Sequence, residues 1–172
     1  MILKGLKEKS NINYINSQFK RRITLQSNTK IKRVGVIVNT EEIIDFSNFN
    51  TLAKSLNIKN EDIEIIAFKY KVKKQETVFN PTYTLKNIGW RGIIKNKALK
   101  QFLNTEFDAL ISYYKQDETA LKVITTASKA KFKIGILEID ERINDLIIKT
   151  ELGDFKTFTA ELKKYLNILN KI

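Results

Sequence analysis

Apolar residues in this chain fall into short runs of strand length, separated by stretches in which they recur every third or fourth position. "IKRVGVIV" (31–38), "DIEIIAFKY" (62–70), "FDALISYY" (107–114) and "KFKIGIL" (132–137) are β-branched or aromatic runs that read as strands. Between them the period changes. In "NFNTLAKSLNI" Phe49, Leu52, Ala53 and Leu56 share a helical face, with Ser47 as N-cap, and Thr40 with Glu41 and Glu42 marks an earlier helix start. "NKALKQFLN" reads as a short helix. "DETALKVITTASKA" is a longer one, turning Leu121, Ile124 and Ala127 or Ser128 inward. The last helix starts at Asp154 and presents Phe155, Phe158, Leu162, Leu166 and Leu169.

Strands alternating with helices predict βαβ units. The runs are apolar at nearly every position, which fits strands buried on both faces. The fold class is therefore α/β: one Rossmann-like or flavodoxin-like domain over 31–172, its sheet mostly parallel with helices on both faces. Residues 1–30 form a basic helical arm with Ile12, Ile15 and Phe19 at helical spacing. Residues 71–94 are irregular, or form short extra strands around the Asn80–Pro81 step. No internal repeat and no second domain is visible.

Composition narrows the chemistry. With 172 residues, 42% hydrophobic and 29% charged, the chain is an ordinary folded protein. No stretch reaches the roughly 18 apolar residues of a membrane span. "MILKGLKEKS" is not a secretory signal, so the expected location is cytoplasmic. The absence of cysteine excludes disulfides and thiolate catalysis. The absence of histidine removes the commonest general base and zinc ligand. An enzyme becomes the less favoured reading, with no catalytic residue, metal ligand or cofactor assigned.

The net charge of +12 is unevenly spread. Met1–Arg33 holds nine basic residues against one acidic, and Lys69–Lys100 repeats that ratio. Val34–Phe68 is acidic on balance, with two basic and six acidic residues, and the remainder is neutral. Two basic segments suggest a polyanion as partner, because lysine and arginine neutralise phosphates and release counterions. The candidate RNA-binding residues are Lys20, Arg21, Arg22, Lys30, Lys32 and Arg33 in the first segment. In the second they are Lys69, Lys71, Lys73, Lys74, Trp90, Arg91, Lys95 and Lys97. A solvated helix face and an anionic membrane surface remain alternatives for the arm, and a protected sheet edge for the alternating lysines. The single tryptophan stands in "NIGWRGIIKN". Flanked by Gly89 and Gly92, Trp90 either caps the sheet edge or offers a platform for an unpaired base or a partner.

Nucleotide motifs are missing where the fold would carry them. Gly35 lies inside the first strand, the turn after it reads Asn39-Thr40-Glu41-Glu42, and no G-x-x-x-x-G-K-[ST] occurs. Glu41, Glu42, Asp117, Glu118, Glu138 and Asp140 follow strand ends and could gather around Mg²⁺. The favoured reading is that Asp117, Glu41 and Asp140 sit at helix starts, where the helix dipole favours negative charge.

The segment "FDALISYYKQDETALKVITTASKAKFKIGI", with "IGWRGII" and "MILKGLKEKSNINYIN", resembles a family of small uncharacterised proteins of the Bacteroidota, flavobacteria among them. The resemblance covers nearly the whole chain and implies no activity, catalytic residue or cofactor. Residues 107–136 also resemble one half of the heptosyltransferase-type glycosyltransferase fold, with an F-D-x-L-I strand, a helix of small residues and a K-I-G strand in that order. That likeness implies a Rossmann-like topology. It does not extend to the reaction, which needs two such halves.

The expected function is non-catalytic RNA binding, with the ribosome as a candidate partner, through the two basic segments on one surface. A Rossmann-like ligand-binding protein or enzyme, using the strand-end crevice near Asn39, Ser112, Asp117 and Asp140, is the alternative. A protein–protein adaptor or homodimer using Trp90 and the final helix comes third. Membrane attachment ranks lowest, and no small-molecule substrate is identified.

Overall fold

The computed structural model describes residues 2–21, 29–42, 45–73, 79, 81–136, 138 and 140–172. Arg22 and Lys74 lie outside the described residues, and of Arg21 only the backbone lies within them. The elements run α1 (Ile2–Arg21), β1 (Val34–Asn39), α2 (Asn48–Ser55), β2 (Ile63–Phe68), β3 (Thr82–Tyr83), α3 (Lys97–Asn104), β4 (Ala109–Tyr113), α4 (Thr119–Ala127), β5 (Phe132–Gly135), β6 (Leu146–Ile147) and α5 (Phe155–Ile168).

The strands form one parallel sheet in the order β3-β2-β1-β4-β5-β6. This is the doubly wound order of the Rossmann fold, with its reversal between β1 and β4. Every residue of β1 and of β4 is buried, as their unbroken apolar runs require. Alternate side chains feed two cores. Val34, Val36 and Val38 meet α2 and α5 through Phe49, Leu52, Phe158 and Leu162. Ile37, Ile66 and Leu110 meet α3 and α4 through Leu99, Phe102, Leu121 and Ile124. Gly35 faces the second core, where a Cβ would stand 2.7 Å from the Phe107 ring; the strand needs glycine there for the ring to lie flat on it.

Several sequence expectations shift at their ends. The first strand begins at Val34, because the Lys32 and Arg33 N–H groups donate to Asp108 Oδ2, each at 3.1 Å, instead of to a strand. Thr40 and Glu42 start no helix. The Thr40 hydroxyl donates to the Phe68 carbonyl, and the Glu42 N–H turns back to the Asn39 carbonyl. Ser47 holds the N-cap position of α2 without a side-chain cap bond. Asp154 caps α5 as expected, accepting the Thr157 N–H at 3.1 Å. Leu169 is exposed, since α5 ends one residue earlier and the chain turns back at Asn170. The strands β3 and β6 are two residues each, too short to show a pattern.

The N-terminal helix is docked on the domain. It packs across α4 and against a short turn at Trp90–Gly92. Ile15 enters the second core, Phe19 packs beside it, and the Arg142 guanidinium covers the Phe19 ring at 4.5 Å. Ile12, assigned to the same stripe by its spacing, is exposed, because the inward face also takes in the polar residue Asn11.

Candidate nucleic-acid interface

Four residues on one face of α1 hold the Trp90 turn. The Lys7 ammonium donates to the Leu85 carbonyl at 3.2 Å. Ser10 Oγ accepts the Arg91 N–H at 3.1 Å, and Asn11 Oδ1 accepts the Gly92 N–H at 2.9 Å. The Tyr14 ring lies so close to Gly92 that a Cβ would sit 2.5 Å from it. Positions 7, 10, 11 and 14 fall at three- and four-residue intervals and so face one way. The turn is also closed on itself. Gly89 N–H donates to the Ile93 carbonyl, Ile93 N–H to the Trp90 carbonyl, and Ile88 pairs antiparallel with Ile94. Arg91 and Gly92 both take left-handed backbone, at φ 53° and 68°. For arginine that conformation costs on the order of 1 kcal/mol, which the surrounding bonds offset.

The result is a rigid turn that points outward. Trp90 remains 45% exposed and Ile93 60%, whereas Tyr83, Tyr113, Tyr114 and Phe107 are fully buried. A groove of about 570 Å³ runs between the indole and α1, lined by Leu6, Lys9, Asn13, Gln18, Trp90 and Arg91 among others.

Charge gathers around this groove. Pro81–Asn104 holds five basic residues and no acidic one, and α1 holds five against Glu8 alone. Glu8 faces α4, where its carboxylate accepts from the Thr119 hydroxyl. Burial, and then the neighbouring Lys95 ammonium, hold the Lys7 pKa below the ordinary lysine value. Among the described residues, Lys9, Lys20, Arg91, Lys95 and Lys97 pair with no carboxylate. Elsewhere several lysines are matched: Lys131 with Asp108, Lys115 with Glu151, Lys149 with Glu138 and Lys164 with Glu161.

The other basic residues named from sequence do not form one patch with each other. Lys30, Lys32 and Arg33 lie at the amino edge of the sheet. There the Lys30 ammonium donates to the Ile172 carbonyl, and Arg33 pairs with Glu64 at 3.6 Å. Lys69, Lys71 and Lys73 lie past the carboxyl end of β2, beyond its last residue Phe68, so they form no lysine row on a strand. A parallel register fixes this separation. Val34 pairs with Ile63 and Asn39 with Phe68, and six residues at about 3.3 Å each set the two groups roughly 20 Å apart. Lys4, Lys7 and Lys9 were missing from the sequence-derived set. Nothing in their local pattern shows that this half of α1 faces Trp90.

The strand-end residues are bonded to one another. Asn39 Nδ2 donates to Gln116 Oε1 at 2.8 Å across the β1–β4 reversal, and Glu42 Oε1 accepts the Lys115 N–H. Ser112 and Tyr114 share the Thr125 hydroxyl, Asp117 pairs with Lys122, and Asp140 with Arg142. Asp140 caps the start of a helical turn, as its position suggested, whereas Glu118 rather than Asp117 caps α4 and Glu41 starts no helix. The Arg142 guanidinium holds the Asp140 carboxyl below its ordinary pKa. Among the described residues no group of three or more acidic side chains could hold a metal ion. A pocket of about 200 Å³ lies under α1, lined by Lys7, Asn11, Tyr70, Ile88 and Glu118 among others. In it, burial and the nearby Glu118 push the Tyr70 hydroxyl up to about 12. No helix among the described residues is long and apolar enough to cross a membrane.

Fold and surface together define a single doubly wound α/β domain with an N-terminal helix clipped to an exposed tryptophan turn. Over residues 7–169 the chain belongs to a family of unknown function, DUF6913. No curated protein and no solved structure matches it.

Proposed function

We propose that this protein binds RNA without catalysis, as a cytoplasmic and ribosome-associated factor, through the face made by α1 and residues 81–97. One observation carries the reading: two basic stretches distant in sequence meet there, around an exposed indole, without carboxylate partners. Clustered cations repel one another and lower stability unless an anion is drawn to them. The residues assigned to the contact are Lys4, Lys9, Lys20, Arg91, Lys95 and Lys97. Lys30, Lys32 and Arg33 lie at the other end of the sheet from Lys69–Lys73, and neither group is assigned to the contact. A small-ligand role has less support, since most polar groups at the β1–β4 reversal, Glu42 Oε2 apart, already bond within the protein.

The test is binding of purified protein to total ribosomal RNA over a range of salt concentrations. Contact with four to six phosphates gives a log–log salt slope of about −3 to −5, from roughly 0.7–0.9 per phosphate neutralised. Reversing Lys9, Arg91 and Lys95 to glutamate abolishes the binding, and reversing Lys30 and Lys32 leaves it nearly intact. Affinity that ignores salt, or that follows Lys30 and Lys32, rejects the proposed face.

A further inference from the structure

We infer that the groove between α1 and the Trp90 turn holds one unpaired base of single-stranded RNA, stacked on the Trp90 indole. The inference rests on the RNA-binding reading above and adds the form of the ligand. Three observations support it.

The first is the placement of the aromatic rings. Tyr83, Tyr113, Tyr114 and five phenylalanines are fully buried, while the single tryptophan is left 45% exposed. Its turn is closed by its own hydrogen bonds and by Ser10 and Asn11. A ring fixed in advance loses little freedom when a base stacks on it, and any base can stack because all present a π-face.

The second is the composition of the groove. About 570 Å³ is room for a nucleotide, given that small-molecule sites span roughly 300–1,000 Å³. Asn13 and Gln18 lie on its α1 wall. Each carries both a donor and an acceptor, the complement a base edge asks for. Lys9 and Arg91 border the same groove, free of carboxylates, where the flanking phosphates would run.

The third is the left-handed backbone of Arg91. It sets Arg91 next to Trp90 in a turn where left-handed backbone otherwise favours glycine, and both residues line the groove. An A-form duplex keeps its bases stacked inside and offers this ring nothing to stack on.

The neighbourhood also contains exposed Ile2, Leu3, Leu6 and Ile93, a surface that an anionic bilayer could use. The experiment separates the two. The single tryptophan is an internal reporter, because stacking on a base quenches its emission and entry into lipid shifts it to the blue. The full chain is titrated with a short single-stranded oligoadenylate, an RNA duplex of equal length, heparin and phosphatidylserine vesicles. Labelled-RNA anisotropy is followed in parallel for Trp90→Ala and Trp90→Tyr.

Saturable quenching by the single strand, with duplex bound but not quenching, is the expected result. Trp90→Ala then weakens single-strand binding about ten-fold, leaves duplex binding unchanged, and is largely rescued by Trp90→Tyr. Binding of single strand and duplex with equal affinity and no quenching overturns the base site while the RNA-binding face stands. Failure to bind either RNA or heparin overturns the reading beneath it. A blue shift with vesicles and no response to RNA assigns the groove to a lipid surface and overturns both.

Discussion

The side-chain carbonyl of Asn11, buried in α1, accepts the Gly92 N–H at 2.9 Å across 81 residues of sequence. A helix residue thereby serves as the missing backbone partner of a left-handed turn. Asn11→Ala leaves a buried N–H without its acceptor and costs about 1–3 kcal/mol. Because the same bond fixes the turn, the Trp90 emission of this variant shifts to the red and becomes more accessible to acrylamide. An unchanged spectrum would mean that Ser10 and the turn's own bonds hold Trp90 without Asn11.

Gly35 and Phe107 form a second pair in which one side chain exists only because the other is missing. An alanine methyl at Gly35 would stand 2.7 Å from the Phe107 ring and 3.1 Å from Phe102. In a packed core between sheet and α3 neither ring has space to retreat, so Gly35→Ala costs about 2 kcal/mol. Phe107→Leu removes the obstruction. The double variant is therefore more stable than the sum of the two single effects predicts, measured by urea midpoints. Strict additivity would place the strain elsewhere.

The sequence carried the four long strands, the helices between them and the α/β class, because each rests on a period of two or 3.6 over several residues. The Asp154 cap and the helix faces of α2 and α4 came with them. The assembled surface was not readable in the same way. Lys30–Arg33 and Lys69–Lys73 looked equivalent as charge clusters, yet parallel pairing sends them to opposite ends of the sheet. Lys9 and Arg91 meet only because Asn11, a polar residue with no inward signature, faces the domain. Helical periodicity assigned that place to Ile12, which the structure leaves in solvent. Trp90 stood out from its glycines alone, but its exposure is set by contacts of 81 residues' separation that no local pattern encodes.

Lys133 is the one lysine buried to 4% exposure in a described strand, and its ammonium reaches the end of α4. It donates to the Thr125 carbonyl at 2.7 Å and the Thr126 carbonyl at 3.2 Å. Carbonyls in a last helical turn lack partners within the helix, and the negative end of the dipole favours a cation there. Lys133→Met keeps the aliphatic stem and removes the donor. It lowers stability by about 2–3 kcal/mol, the scale of a hydrogen bond from a charged group together with a stranded buried acceptor. The urea midpoint falls while the slope of the transition stays constant. A neutral result would show that apolar burial fully replaces the buried ammonium, as happens for some buried ion pairs.

Asp108 joins three segments at the amino edge of the sheet, accepting the Lys32 and Arg33 N–H groups and the Lys131 ammonium. Burial pushes its carboxyl pKa up, but the Lys131 hydrogen bond and the two N–H groups outweigh burial, so the net shift is downward. A carboxyl whose folded pKa lies below its unfolded value stabilises the fold above the unfolded value, near 3.9. That contribution is lost as the pH falls through the folded value. Asp108→Asn is therefore less stable than the parent chain at neutral pH, by about 1–2 kcal/mol. The gap stays constant from pH 7 to about 5 and closes as acid protonates the parent's Asp108. Thermal midpoints of the two proteins between pH 7 and 3 measure this directly. Parallel curves that keep their separation down to pH 3 would show that the Asp108 charge contributes nothing and that the loss comes from packing alone.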